Sequence, residues 1–230
     1  MKTIGLIGGM SWESTVTYYQ IINREIKEKL GGFHSSNCIL YSVDFQEVEE
    51  SQARGDWEKG AEILTKAAQS LERAGADFII ICTNTMHKVA DKVKEQVQIP
   101  LLHIAEVTAD ELQKNSVKTV ALLGTKYTME QDFYKSKLIE RGITVIIPEK
   151  ADREFINHTI YHELCLGIID AASRQRLLSI LSELTDQGAE GIILGCTEIG
   201  LLIHQDNTKI PLYDTTLIHA KSAASRSLEI

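Results

Sequence analysis

Residues 79–87 read "IIICTNTMH" and residues 192–200 read "IILGCTEIG". Each is an apolar run that breaks into small polar groups, and the likeness extends on either side. "AGADFIIICTNT", Ala74–Thr85, lies over "QGAEGIILGCTE", Gln187–Glu198, at a constant offset of 113 residues. Gly75 then matches Gly188, Cys82 matches Gly195, and Thr83 stands where the second copy has Cys196. Further out, "KTIGLIGG", Lys2–Gly9, sets on "KTVALLGT", Lys118–Thr125, at an offset of 116, and "IPLLHI" from Ile99 echoes "IPLYDT" from Ile210. Three echoes in the same order indicate an internal duplication.

The apolar runs "TIGLIG", "CILYSV", "DFIIIC", "TVALLG" and "GIILGC" read as strands buried on both faces. They alternate with helical-period stretches such as Ser14–Leu30 and Glu58–Ala74. That alternation predicts an α/β protein of two pseudo-symmetric halves with mostly parallel sheets. Ligands of open parallel sheets bind beyond the carboxyl ends of the strands. The expected active site is therefore a cleft between the halves, with Thr83 and Cys196 on opposite walls. The expected halves are residues 1–112 plus 212–230, and 113–211, the last segment returning to the first half as a terminal helix.

At 230 residues, with 43% hydrophobic and 24% charged residues, the chain has ordinary globular composition. A formal charge of −8 without a dense Lys/Arg block argues against nucleic acid or an anionic membrane as partner. "MKTIGLIGGM" reads as a first strand and glycine turn rather than a cleavable leader, so a cytoplasmic protein is expected. Cys38, Cys82, Cys165 and Cys196 have no CxxC or CxxH spacing, so neither a zinc site nor a redox pair is signalled.

"GLIGGM", Gly5–Met10, lacks both the dinucleotide GxGxxG pattern and the P-loop GK[ST]. Gly8 and Gly9 mark a turn where the backbone approaches a ligand or simply a strand-to-helix turn. Cys196 closes a strand that opens toward a helix, where N–H dipoles are expected to lower a thiol's pKa. Thr83, Asn84 and Thr85 offer hydroxyl, amide and backbone donors suited to a carboxylate. Cys82 points to the opposite face of its strand from Thr83, toward the core, and Cys38 and Cys165 read as core residues as well. His87, Lys88, Asp214 and His219 read as surface or structural residues.

Through "GLIGGMSWEST", "CTNTMHK", "LLGTKYTMEQDFY", "GCTEIGLLI" and "IPLYDTT", essentially the whole chain resembles the aspartate/glutamate racemase family. The resemblance implies two Rossmann-like halves closing on an acidic amino acid, no cofactor and no metal, and a homodimer. It also implies two cysteines acting on opposite faces of Cα, one removing the proton and the other returning one. Cys196 stands at the second of these and Thr83 at the first. A threonine hydroxyl is too weak an acid to supply a thiolate-like base, though it can donate a proton to a strong carbanion. The implied reaction is an L-preferring racemisation of aspartate or glutamate, with Cys196 as base and Thr83, or its bound water, as acid. Asn84, Thr85, Thr125 and Thr197 fall where the family holds the α-carboxylate, and Met10 lines the same site. No asparagine-proline-to-arginine motif for the distal carboxylate follows "CILYSVDF", which leaves Gln52, Arg54 and Lys88 as substitutes. The alternatives are a related isomerase or decarboxylase of a small diacid, and a non-catalytic binder of acidic amino acids.

Overall fold

The computed structural model describes residues 1–229 and divides into two compact units, Met1–Ile104 with the residues from Thr216 onward, and Ala105–Thr215. The first unit runs β1 (Ile4–Gly8), α1 (Trp12–Leu30), β2 (Cys38–Ser42), α2 (Phe45–Arg54), α3 (Trp57–Arg73), β3 (Phe78–Ile81), a 3-10 turn at Thr85–Val89 and α4 (Ala90–Lys94). Its strands are all parallel in the order β2-β1-β3.

Helix α5 (Ile104–Lys114) leads into the second unit, which continues β4 (Thr119–Gly124), α6 (Lys126–Glu130), α7 (Asp132–Ile139), β5 (Thr144–Ile146), α8 (Lys150–His162) and α9 (Ala171–Asp186). Then come β6 (Gly191–Gly195), α10 (Ile199–Leu202) and β7 (Leu212–Asp214), after which α11 (Thr215–Ser227) returns to the first unit. This sheet is also parallel, in the order β5-β4-β6-β7.

The duplication is visible in the ladders. Ile4 pairs with Phe78 in the first sheet, and Val120, which is 116 residues beyond Ile4, pairs with Gly191, which is 113 beyond Phe78. The second echo holds too: Ile79 bridges Leu101, and its counterpart Ile192 pairs with Leu212. Even the bond around the prolines repeats, with Ile79 N–H donating to Pro100 O and Ile192 N–H to Pro211 O, each at 2.9 Å. In the first unit this fourth position is a single bridge, because the chain turns into α5 at Ile104. In the second it extends to a three-residue strand. β5 is equally short, too short for apolar alternation to announce it.

Alternation along the first sheet sorts its side chains onto two cores. Ile7, Ile79 and Ile81 pack with Val48 of α2 and Leu64, Ala68 and Leu71 of α3. Ile4, Leu6, Phe78, Ile80 and Cys82 pack with Tyr18, Ile22 and Ile26 of α1 and with Ala220, Ala223 and Ala224 of α11. The positions Ala61, Leu64, Ala68 and Leu71 give α3 one apolar stripe at helical spacing, which faces this sheet. In the second unit Ala121, Leu123, Ile192 and Leu194 pack beneath Ile156 and Ile160 of α8 and Leu177, Ile180 and Leu184 of α9. Each wholly buried Ile or Leu contributes about 1.5–3 kcal/mol.

Side-chain caps start the helices: Ser11 Oγ accepts from Ser14 N–H, Asp56 from Lys59 N–H and Asp170 from Ser173 N–H. A cap of this kind is worth about 1 kcal/mol. The strand-end glycines exist for close packing. A Cβ on Gly9 (φ +92°) would lie 2.3 Å from Val43 O, and one on Gly8 would lie 2.4 Å from Thr15 Cγ2. Between the two readings of "GLIGGM", protein-to-protein packing therefore accounts for the pair. In the second unit a Cβ on Gly195 would stand 2.7 Å from Leu123 O. The expected result for Gly195→Ala is a loss of about 1–3 kcal/mol in urea unfolding, since strand β4 must move to admit the methyl. An unchanged midpoint would show that β4 and β6 approach less closely than this.

Candidate active site

In the first unit the residues of interest gather where β1 and β3 end side by side, Ile7 being paired with Ile81. Beyond β1 the chain passes Gly8 and Gly9, whose N–H donates to Thr15 Oγ1 at 2.8 Å, to Met10, which is buried in the core behind the sheet. Beyond β3 come Cys82, Thr83, Asn84 and Thr85. Cys82 is fully buried on the α1 face, as strand alternation predicts, and burial pushes its thiol upward in pKa. Thr83 is half-buried, and Asn84 and Thr85 are buried. Thr83 N–H donates to Ile81 O at 2.9 Å, which bends the chain directly after the strand.

That bend is held by histidine. The Nδ1 of His87 lies 2.7 Å from Thr83 O, and Ile104 N–H donates to His87 Nε2 at 3.2 Å. A carbonyl only accepts and an amide N–H only donates, so His87 is the neutral tautomer protonated on Nδ1. The same logic fixes His219 of α11. Its Nε2 faces Leu102 O at 2.9 Å and must donate, leaving Nδ1 to accept from Tyr18 Oη at 2.9 Å. The rings of His103 and His219 lie 4.6 and 5.7 Å from that of His87, centroid to centroid. Burial lowers both titrations, and neighbouring His103 and His219 lower that of His87 further, while His219 falls to about 4. His87 and His219, read from sequence as surface or structural residues, are buried and structural.

The substitutes for a distal-carboxylate ligand are placed differently from one another. Gln52 is buried at the end of α2, whereas Arg54 is exposed and paired with Glu50 at 3.0 Å. Lys88 is half-buried, its Nζ 3.8 Å from the centre of the Trp57 ring, and desolvation lowers its pKa. A hollow of about 370 Å³ beyond β2, bordered by Asp44, Glu47, Lys59 and Lys66, contains none of the candidate residues.

In the second unit β4 and β6 end on the paired residues Gly124 and Gly195. Thr125 and Cys196 are therefore adjacent successors on neighbouring strands. Thr125 is buried and caps α6, its Oγ1 accepting from Thr128 N–H at 3.4 Å. Cys196 is half-buried, and its thiol donates to Glu198 Oε2 at 3.0 Å. Thr197 Oγ1 donates to the same carboxylate oxygen, also at 3.0 Å. Glu198 is itself only 8% exposed.

The expected lowering of the Cys196 pKa is overturned. Burial, then the Glu198 carboxylate and the nearby Cys165, hold the thiol well above its ordinary range, against a smaller opposite pull from the Glu198 N–H. The helix that was to supply a dipole, α10, has four residues, while a carboxylate two positions on turns back onto the sulfur. Glu198 is the residue at this strand end to which the sequence reading gave no role; its signal was an acidic residue in the turn at i+2 from the cysteine. Cys165 was read as core, but it is half-buried at the core's margin, as is Cys38. Among the described residues no group of three or more His, Cys, Asp or Glu side chains could hold a metal ion, and no helix is long and apolar enough to cross a membrane.

Two repeated parallel units are the fold of one class of protein, and the sequence agrees: residues 7–223 match the Asp/Glu/hydantoin racemase family, to which the chain belongs. It is 26% identical over 236 residues to the broad specificity amino-acid racemase RacX of Bacillus subtilis, covering 98% of each chain. Among solved structures it superposes on a candidate Asp/Glu racemase from Yersinia pestis with a TM-score of 0.94 at 52% identity, covering 100% of each chain. It superposes equally completely on PH1733, an aspartate racemase homologue of Pyrococcus horikoshii, with a TM-score of 0.87 at 37% identity. Racemases, as these relatives are named, are isomerases.

The histidines make folding stability depend on pH. Because His219 stays neutral when folded, the unfolded chain binds more protons between its ordinary pKa of about 6.5 and the folded value of about 4. Stability is full above that window and falls as pH drops through it, by about 3 kcal/mol from His219 alone, with His87 acting in the same direction. Urea unfolding at pH 7 and pH 4.5 measures the fall. His219→Gln, which retains a donor for Leu102 O, is expected to flatten it, and an equal slope in both proteins would refute the assignment.

Proposed function

We propose that the protein is a racemase of acidic amino acids, aspartate or glutamate, in which Cys196 removes the Cα proton of the L-enantiomer and the Thr83 side returns one from the other face. The observation that carries this reading is the Cys196–Glu198 pair at the end of β6, in a chain of the racemase family. Supporting it, Thr83 occupies the duplicate position at the end of β3, which is what chemistry on two faces of one carbon requires. Neither a cofactor nor a metal has a step in this scheme.

The resting pair holds one proton, as Cys196–SH with Glu198 carboxylate. Passing that proton to Glu198 generates the thiolate, which takes the Cα proton and becomes Cys196–SH again, so the carboxylate is the thiol's own base; once the Thr83 side has protonated the carbanion, solvent returns a proton to it and Glu198 releases its own to solvent. Asn84, Thr85, Thr125 and Thr197 are proposed to hold the α-carboxylate and the enolate-like charge that develops on it. Of the distal-carboxylate candidates, burial favours Gln52 and partial desolvation favours Lys88 over the exposed, paired Arg54. The working assembly is proposed as a cytoplasmic homodimer, and a sedimentation mass of one chain would overturn that.

The test is proton NMR of L- and D-aspartate and L- and D-glutamate in D2O, following the Cα–H signal alongside chiral analysis. Exchange with inversion is expected, fastest from an L-enantiomer, without pyridoxal phosphate, and absent in Cys196→Ala. No exchange from any of the four would exclude the reading. In Glu198→Gln the exchange rate near neutral pH should fall by about 10²-fold or more, as when a general base is removed. The acidic limb of kcat/KM should also move to higher pH, because the thiol must then ionise unaided. Thr83→Cys is expected to bring the two directions closer in rate.

A further inference from the structure

The racemase reading leaves a question about Thr83. A hydroxyl is a poor proton donor, so it must be aimed well to act at all, yet it stands in a bend beyond the last ladder pair of β3. Both peptide groups flanking its Cα are held. Its N–H donates to Ile81 O at 2.9 Å, and its carbonyl accepts from His87 Nδ1 at 2.7 Å. The first bond is local and two residues long. The second comes from a side chain four residues on, in the 3-10 turn, that is only 2% exposed.

The imidazole is in turn fixed on its other edge. Ile104 N–H donates to Nε2 at 3.2 Å, and the rings of His103 and His219 meet it at 64° and 66°. His219 is secured by Leu102 O and Tyr18 Oη, each at 2.9 Å. A chain of partners from three separate elements therefore sets one ring plane, and that plane sets the direction of one peptide carbonyl. Nothing in packing alone asks for this arrangement, since an apolar side chain would fill the space without buried imidazoles to keep satisfied.

Resting on the racemase reading, we propose that His87 is the positioning residue for the Thr83 side of the reaction: its Nδ1–H bond to the Thr83 carbonyl aims the Thr83 hydroxyl at Cα. His87 exchanges no proton with substrate. It governs the return of a proton on the Thr83 face and leaves removal by Cys196 largely unaffected.

The two half-reactions can be read separately with an L-substrate in D2O. Loss of the Cα–H signal counts removal by Cys196, and appearance of the D-enantiomer counts return from the Thr83 face. In Thr83→Val the ratio of inversion to exchange should fall. For His87 the informative pair is Asn and Gln, because an Asn amide nitrogen reaches the position of Nδ1 and a Gln amide reaches that of Nε2. His87→Gln, which loses the bond to the Thr83 carbonyl, is expected to lower the ratio by about tenfold or more, the scale of effect that a misaimed group produces. His87→Asn is expected to restore most of it. A ratio unchanged in His87→Gln, or a parallel fall of exchange and inversion in both variants, refutes the inference and leaves His87 a stability residue. Absence of exchange in the wild-type protein refutes the racemase reading and the inference with it, so the two failures are distinguishable.

Discussion

The parallel ladder between the two central strands of each sheet is the constraint on which the site depends. Pairing Ile7 with Ile81 and Gly124 with Gly195 decides which turns emerge side by side. A slip of one residue would exchange the two faces of β3, sending Thr83 toward the core and Cys82 outward. Phe78, Ile80 and Cys82 facing α1 and α11, against Ile79 and Ile81 facing α2 and α3, make such a slip costly, because each would enter an apolar core packed around a side chain of another shape. Backbone closeness adds a second lock in the other unit. Gly124 and Gly195 lie so near each other's strands that a side chain on either would meet a carbonyl oxygen, at 2.9 and 2.7 Å.

Much of this was legible because duplication turns local likeness into a statement about register. Two offsets, 113 and 116, read from the sequence alone, reappear as equivalent pairs in separate ladders. What stayed hidden depended on contacts remote in sequence or on the orientation of a side chain. His219 meets Tyr18 across 201 positions and Leu102 across 117, so no local pattern could announce that it is buried. Glu198 is only two residues from Cys196, but nothing in "CTE" says whether its carboxylate points to solvent or folds back on the sulfur. Burial of the sulfur, with that carboxylate second, reversed the expected direction of the thiol's titration.

The two strand ends, alike in sequence, are chemically opposite. The second sets a thiol against a carboxylate that accepts its hydrogen bond, the arrangement from which the proposed base is made. The first holds the Thr83 carbonyl with the neutral ring of His87, against which the neutral ring of His219 packs, and neither can serve as a strong base where it sits. In His87 the only lone pair on the ring already accepts from Ile104 N–H, and in His219 it accepts from Tyr18 Oη. Thr83, standing where the second copy has Cys196, is thus one part of a wider difference, in which a carboxylate faces the thiol at one strand end and neutral imidazoles hold the other.

This neutrality bears on the proposed chemistry. A thiolate generated by transfer to Glu198 is a strong base because burial keeps its ordinary pKa high. The Cα–H of an amino acid is itself a very weak acid, so its removal calls for a strong base, and the carbanion it leaves is basic enough for a weak acid such as a hydroxyl to protonate. In the proposed scheme a lowered thiol pKa would give a weaker base for the same weakly acidic C–H. The raised thiol, which contradicts the simplest expectation from the sequence, suits the proposed removal step, while the basicity of the carbanion, set by the substrate, is what leaves the proposed return step to a hydroxyl.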